Sequence, residues 1–494
     1  MNRFCLRIPY VMIIALLIFA GCASDQEKTE KFISESQAYY DSGEYSKAAI
    51  QIKNALQLAP DSAESYDLLS KIQLKLGNAQ EAFNAFLKIE QLEPENIENK
   101  IRIATFLLLG KNIEEARKRV DEVLEKDPEN IEALYLHAGI ISNQKASLEE
   151  IQQVYKTILD IDNRQAKAHS ILARLSGFQQ DFAQAETHLK TAIALQPENK
   201  THDKTLYGFY MARNQLDAAE AVLNNMIQKH PDDAEPLIIL SNFYASNNDI
   251  EKAEALLLKA IEVNPEDLNT YMVMARFMAR QNKTQAAQSY FESALKIEPD
   301  NLNLKTTYAD FHLANKEILK AEALVNEILS ARPDFLPSKV LQGRIFAAKK
   351  EYEKSIDLFR SLLKDDPESE TLNFLLGSAL FEKNDFDQAK PVLSKALEKN
   401  PDLQQARLIL AEIQYREGDF DLAEDNVSKI LVKYPDHYNA NIVFGNISMV
   451  KGDLEGAKAL FTRLIQQEPE NPAAYFRMGL LNRAEKNQEA ALNH

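Results

Sequence analysis

Residues 47–83 read KAAIQIKNALQLAPDSAESYDLLSKIQLKLGNAQEAF. Pro60 stops the helix that ends near Leu58, because it has no backbone N–H to donate and restricts the residue before it. Asp61 then stands where a carboxylate caps the free N–H groups of a new helix and suits its dipole. Tyr66, Leu69 and Ile72 follow at helical spacing, and Gly77-Asn78 closes that helix. Ala82, Phe86 and Ile89 mark a second amphipathic helix. The stretch therefore encodes two helices joined by tight turns.

The same unit recurs. Pro60, Pro94 and Pro128 stand 34 residues apart. Pro197, Pro231, Pro265, Pro299, Pro333, Pro367, Pro401, Pro435 and Pro469 keep that step, and each of these twelve prolines is followed by Asp or Glu. The gap from Pro128 to Pro197 holds one irregular unit, with Asp162 expected in the proline's place and one residue inserted after it. A small residue recurs at Ala48, Ala82, Ala116, Ala185, Ala219, Ala253, Ala287, Ala321, Ala389, Ala423, Ala457 and Ala491. Such a column marks a close helix crossing. Counting by 34 puts Glu150 and Ser355 in it. A period of this length means stacked supersecondary units.

Composition agrees. The chain has 494 residues, too many for one core, with 45% hydrophobic and 27% charged residues, which excludes wholesale disorder. Strong helix formers dominate, with only 14 Gly and no Trp. The expected fold class is all-α. A formal net charge of −17 makes nucleic acid and anionic membrane surfaces poor partners. Both cysteines, Cys5 and Cys22, lie at the N-terminus, so neither a disulfide framework nor a Cys-based metal site is expected in the body.

The unit resembles the tetratricopeptide repeat (TPR), with Tyr66 at the usual Trp position and Leu69, Ala82, Phe86 and Pro94 matching. The resemblance covers residues 29–494 and implies a right-handed superhelical α-solenoid of about 13–14 helix pairs, the last incomplete. Residues 131–165 form the weakest unit and a candidate hinge. Pro391 falls inside a second helix and should kink it or shift its start. The chain stops in mid-helix after Ala491, where a solenoid normally carries a polar cap, which points to a longer protein or a partner over the end.

At the N-terminus, Arg3 and Arg7 precede an apolar run from Tyr10 to Ala20, too short to span a bilayer. Phe19-Ala20-Gly21-Cys22 resembles the lipobox of bacterial lipoproteins, with Phe19 where an aliphatic residue is usual. The resemblance implies a signal peptide over 1–21, acylation of Cys22, and a tether over 22–28. Ala23 after the cysteine implies sorting to the outer membrane, facing the periplasm. Lipid at Cys22 would be the sole membrane contact, and several acyl chains hold far more durably than one.

The sequence shows no nucleophile constellation, phosphate loop or metal-ligand spacing, and the eight His residues are scattered singly. No enzymatic activity, cofactor, metal or small-molecule substrate is expected. In TPR proteins the first helix of each unit lines the concave face. One ladder there runs Ile238, Met272, Thr306, Val340, Phe374, Leu408, Ile442. A second, four residues further on, runs Asn242, Arg276, Asp310, Arg344, Ser378, Glu412, Asn446. Together they suit an extended peptide or helix of a protein partner, though each residue is equally readable as inter-repeat core or solvated surface. The Lys and Asn pattern by which chaperone-adaptor TPR domains hold a terminal carboxylate is not reproduced, since Gly208 follows Lys204 where the Asn belongs. The expected role is a lipid-anchored periplasmic scaffold in an envelope assembly. YSKAAIQIKNALQLAPDSAES (45–65) beside the lipobox resembles PEP-CTERM/exosortase-system TPR lipoproteins, which accompany exopolysaccharide and protein-sorting loci. The alternatives are the TPR scaffold of an exopolysaccharide or cellulose exporter, a pilus-assembly lipoprotein, or the TPR part of a longer enzyme.

Overall fold

The computed structural model describes residues 11–484, with side chains from residue 25 onward. The first ten residues of the expected signal peptide, the side chains of residues 11–24 with the Cys22 thiol, and residues 485–494 lie outside the described residues. Among those described there are 27 helices and no strand. None is long and apolar enough to cross a membrane.

The chain divides into two compact units, residues 1–231 and 232–494. In the first, first helices α1 (Val11–Asp41), α3 (Ala63–Lys75), α5 (Ile97–Leu109), α7 (Ile131–Asn143), α9 (Ala166–Phe178) and α11 (Lys200–Ala212) alternate with second helices. Those are α2 (Tyr45–Leu58), α4 (Ala79–Leu92), α6 (Ile113–Lys126), α8 (Leu148–Ile161), α10 (Phe182–Leu195) and α12 (Leu216–Lys229). In the second unit the first helices are α13 (Ala234–Ser246), α15 (Leu268–Arg280), α17 (Leu302–Ala314), α19 (Leu336–Ala348), α21 (Glu370–Glu382), α23 (Gln404–Glu417), α25 (Tyr438–Val450) and α27 (Pro472–Ala484). Between them lie α14 (Ile250–Val263), α16 (Thr284–Ile297), α18 (Ile318–Ala331), α20 (Tyr352–Leu362), α22 (Phe386–Lys399), α24 (Phe420–Lys433) and α26 (Leu454–Gln467).

Within each unit every helix packs on the next, so both units are α-solenoids. First helices of adjacent repeats also touch, as in α5 with α7, α17 with α19 and α23 with α25. Second helices are not brought together in this way. The first helices of each unit therefore lie on the inner side of its stack.

Caps and turns follow the period. The capping residue is two positions after the proline, not one, which corrects the expectation for Asp61: the Ser62 hydroxyl accepts from the Ser65 N–H, and Asn96 from Asn99. Asp61 itself is exposed. At the position of Tyr66 several repeats carry a polar side chain that reaches back to the carbonyl six residues earlier. Asn441 Nδ2 donates to the Pro435 oxygen at 2.8 Å, and Arg407 Nη2 to the Pro401 oxygen at 2.6 Å. The first helix of every complete repeat ends in one left-handed residue. Gly77 (φ +78°) is one, and Lys111, Asn214 and Lys316 hold the same place at φ +61°, +54° and +62°. The next N–H then bonds a carbonyl five residues back, Asn78 to Gln73 at 2.9 Å, which uses up helix-end oxygens.

The small column lies where the helices of a pair cross. Ala48, Ala82, Ala116, Ala253 and Ala457 are fully buried. Ser355 belongs to it, and its hydroxyl donates to the Gly343 carbonyl at 2.8 Å. The facing column on the first helix is also small. A Cβ on Gly343 would meet the Phe359 ring at 2.5 Å, and one on Gly445 the Phe461 ring at the same distance.

The irregular unit packs inside the first solenoid, and its placement differs from the expectation. The extra residue is Ala146, in the turn between α7 and α8, because a capping box between Ser147 and Glu150 fixes the start of α8 at Leu148. The small column therefore passes through buried Ile151, while Glu150 is exposed. Asp162 is the C-cap of α8, so Asn163 takes the proline's place. Pro391 does not shift α22, which begins at Phe386, in step with Tyr352 and Phe420. The stretch 23–28, expected as a tether, is helical and runs into the first repeat.

Candidate functional site

The inner face of the second unit is built by the first helices α13 to α27, whose 34-residue step brings equivalent residues side by side. The two ladders divide by burial. Ile238, Ile442 and Asn446 are buried, so they act in packing. Met272, Val340, Phe374 and Leu408 are half-buried, and Val340 and Phe374 rest on one apolar cluster with Leu372, Leu376 and Leu380. Asn242 and Arg276 are exposed, and Asp310, Ser378, Arg344 and Glu412 are partly so.

Ladder residues from three successive repeats meet in one place. Arg276, Thr306, Asp310, Val340 and Arg344, with Leu336, line a cleft of about 800 Å³. That is within the span of ligand-sized clefts. Its floor is aliphatic and its rim charged. Arg344 Nη1 stands 2.7 Å from Asp310 Oδ1, with both side chains partly in solvent, so the pair fixes geometry more than it adds stability. Thr306 Oγ1 lies 2.8 Å from Ser338 Oγ, tying α17 to α19 beneath it.

A second, adjoining cleft of about 490 Å³ shares Arg276 and adds Asn242, Ser246, Phe277, Arg280 and Gln281. Ser246 and Arg280 were not picked out from the sequence. They stand four residues beyond Asn242 and Arg276, one turn along the same helix face, so a third ladder at the same step would have found them.

Further along, Glu412 is held above the usual carboxylate range, first by burial and then by Glu382, against the pull of Arg416 and Arg477.

In the first unit, Asp67 pairs with Lys71 at 2.7 Å and with Arg102, giving a small charged cleft at the first helices α3 and α5. Two of the histidines read as isolated are in fact partners: His169 Nδ1 and His188 Nδ1 are 2.9 Å apart. Among the described residues no group of three or more His, Cys, Asp or Glu is arranged to hold a metal.

Comparison with known proteins accords with this architecture. A family model described as the cytochrome c-type biogenesis protein H TPR domain matches residues 23–165. Models described as tetratricopeptide repeat match residues 178–236, 210–277 and 278–339, residues 339–369, and residues 374–438 and 444–493. A putative cytochrome c-type biogenesis protein CcmH of Haemophilus influenzae is 28% identical over 112 residues, 22% of this chain. That match spans 24% of the relative's length. Among solved structures, yeast Tom70 aligns with a TM-score of 0.41 at 17% identity, covering 94% of this chain and 96% of that one. The APC/C hetero-tetramer Cut9-Hcn1 aligns with a TM-score of 0.38 at 13% identity, covering 85% and 96%. Helix pairs at a 34-residue step and the family models agree: this chain is built of tetratricopeptide repeats.

Proposed function

We propose that the chain is a lipid-anchored periplasmic scaffold that holds a segment of a partner protein in the inner groove of its second unit. The observation that carries this is the cleft built by Arg276, Thr306, Asp310, Val340 and Arg344. Three repeats converge there on an aliphatic floor with a charged rim, the arrangement by which a groove takes an extended or helical segment. The role is binding, not turnover. Anchoring rests on the lipobox residues Ala20, Gly21 and Cys22, and the outer membrane's periplasmic face is the location they support.

A photo-reactive residue at Val340 or Arg344, compared with Leu319, which is 78% exposed on a second helix, tests the groove. Adducts to one defined partner from the groove positions alone are expected. Equal capture from Leu319 contradicts it.

Two pathways suit such a scaffold. The match of residues 23–165 to the cytochrome c-type biogenesis TPR domain supports a place in c-type cytochrome maturation. The stretch 45–65 beside the lipobox supports a place in PEP-CTERM protein sorting and exopolysaccharide export. Deleting the gene separates them: the first reading requires loss of haem-stained c-type cytochromes, the second loss of surface polysaccharide with those cytochromes intact.

A further inference from the structure

The cleft shared by α13 and α15 is lined by two guanidiniums and no carboxylate. Arg276 and Arg280 are four residues apart on α15, and both are exposed. Side chains at that spacing are neighbours about 5–6 Å apart, and like charges there repel. None of the residues around them in this cleft is acidic: Asn242, Ser246 and Gln281 are neutral, and Val273 and Phe277 are apolar. Arg276 also borders the larger cleft, whose lining includes Asp310, Asp334, Asp365 and Asp366; Asp310 there is engaged by Arg344 at 2.7 Å, and Arg280 lies outside that cleft.

Acid is not scarce in this protein, which has 74 acidic against 57 basic residues. Other cations of this unit do receive it: Lys283 pairs with Glu254 at 2.7 Å, Lys349 with Glu322 at 2.8 Å, and Lys390 with Glu417 at 2.8 Å. On the inner face at α15 the two guanidiniums are left facing the cleft. Guanidinium presents a planar fork of donors that fits a carboxylate with two parallel hydrogen bonds. Asn242 and Gln281 add neutral donors beside them, and Phe277 and Val273 supply an apolar wall for the aliphatic part of a Glu or Asp.

We propose that this cleft takes a carboxylate from an acidic segment of the partner protein, held between Arg276 and Arg280. This rests on the reading that the second unit's groove binds a protein segment, and it assigns that segment its charge.

The test uses the full chain and fluorescent peptides of about ten residues, one with three Glu side chains, its all-Gln counterpart, and one whose only carboxylate is the C-terminus. The Glu peptide should bind about tenfold or more tighter than the Gln peptide. R276Q/R280Q should remove that difference without changing the melting curve, since both side chains are exposed. Preference for the peptide with only a terminal carboxylate would place the chain end there instead of a side chain. Equal binding of Glu and Gln peptides, no binding of either, or an unchanged preference in R276Q/R280Q overturns the proposal. So does loss in R276Q/R280Q of binding to phosphatidylglycerol vesicles with peptide binding unaffected, which would make the pair an anionic-surface contact. If Val340 still captures its partner in R276Q/R280Q at unchanged affinity, the groove reading stands and the carboxylate site alone fails.

Discussion

His169 and His188 face each other through their Nδ1 atoms at 2.9 Å, and His169 Nε2 donates to the Asn163 carbonyl at 3.1 Å. With its proton on Nε2, His169 accepts at Nδ1 and His188 donates. Burial, and then the charge of His169, holds His188 below its ordinary value of 6.5, and burial does the same to His202. Both groups thus bind a proton more weakly folded than unfolded, so the stability they supply is whole above about 6.5 and is lost as pH falls through their folded values. The melting temperature of the first unit should drop between about pH 7 and about pH 5, and His188→Gln should flatten that slope. An identical slope in the variant refutes the assignment.

Gly343 gives a packing test. Its Cβ position is 2.5 Å from the ring of Phe359, which is 1% exposed. Gly343→Ala should destabilise the second unit by about 1–3 kcal/mol through overpacking. Adding Phe359→Leu should recover part of that loss, so the double variant should melt above the sum of the singles. Strict additivity in denaturant titration would show that the contact is not the cause.

The left-handed joints give a test in the opposite direction. Lys316 sits at φ +62° with no glycine freedom. Lys316→Gly should stabilise by up to about 1 kcal/mol, and Gly77→Ala, at φ +78°, should cost about the same. Urea unfolding of each variant reads both signs. A destabilised Lys316→Gly would mean the lysine side chain supports the turn.

For anchoring, the processed chain should partition with membranes and its maturation should be blocked by globomycin. Cys22→Ser should release it to the soluble periplasmic fraction. A Cys22→Ser form still in membranes refutes the acylation site.

Most of the fold was legible because its determinants are local and repeated: a proline, a cap, a left-handed residue and a small residue recur in phase. Phase itself was misjudged where a local interaction overrode the count. The Ser147–Glu150 capping box placed the extra residue at Ala146, which counting prolines could not reveal. The cap at Ser62 instead of Asp61 is a one-residue error of the same kind. The groove was legible only as register. Which ladder residues stay open depends on how neighbouring repeats nest: Asn446 is 7% exposed while Asn242, at the same position, is open to solvent. The His169–His188 contact joins two helices through side chains 19 residues apart, a spacing that no helical period marks.

Among the described residues, the thirteen left-handed joints between paired helices, four of them glycine, have a chemical consequence. A D-amino acid prefers the positive φ that an L-residue resists, so at Lys111, Lys145, Gln180, Asn214 or Lys350 a mirror-image residue with the same side chain would relax the backbone while keeping the surface it presents. Each joint is a natural seam for semisynthesis, where handedness and not side-chain identity is what the architecture constrains.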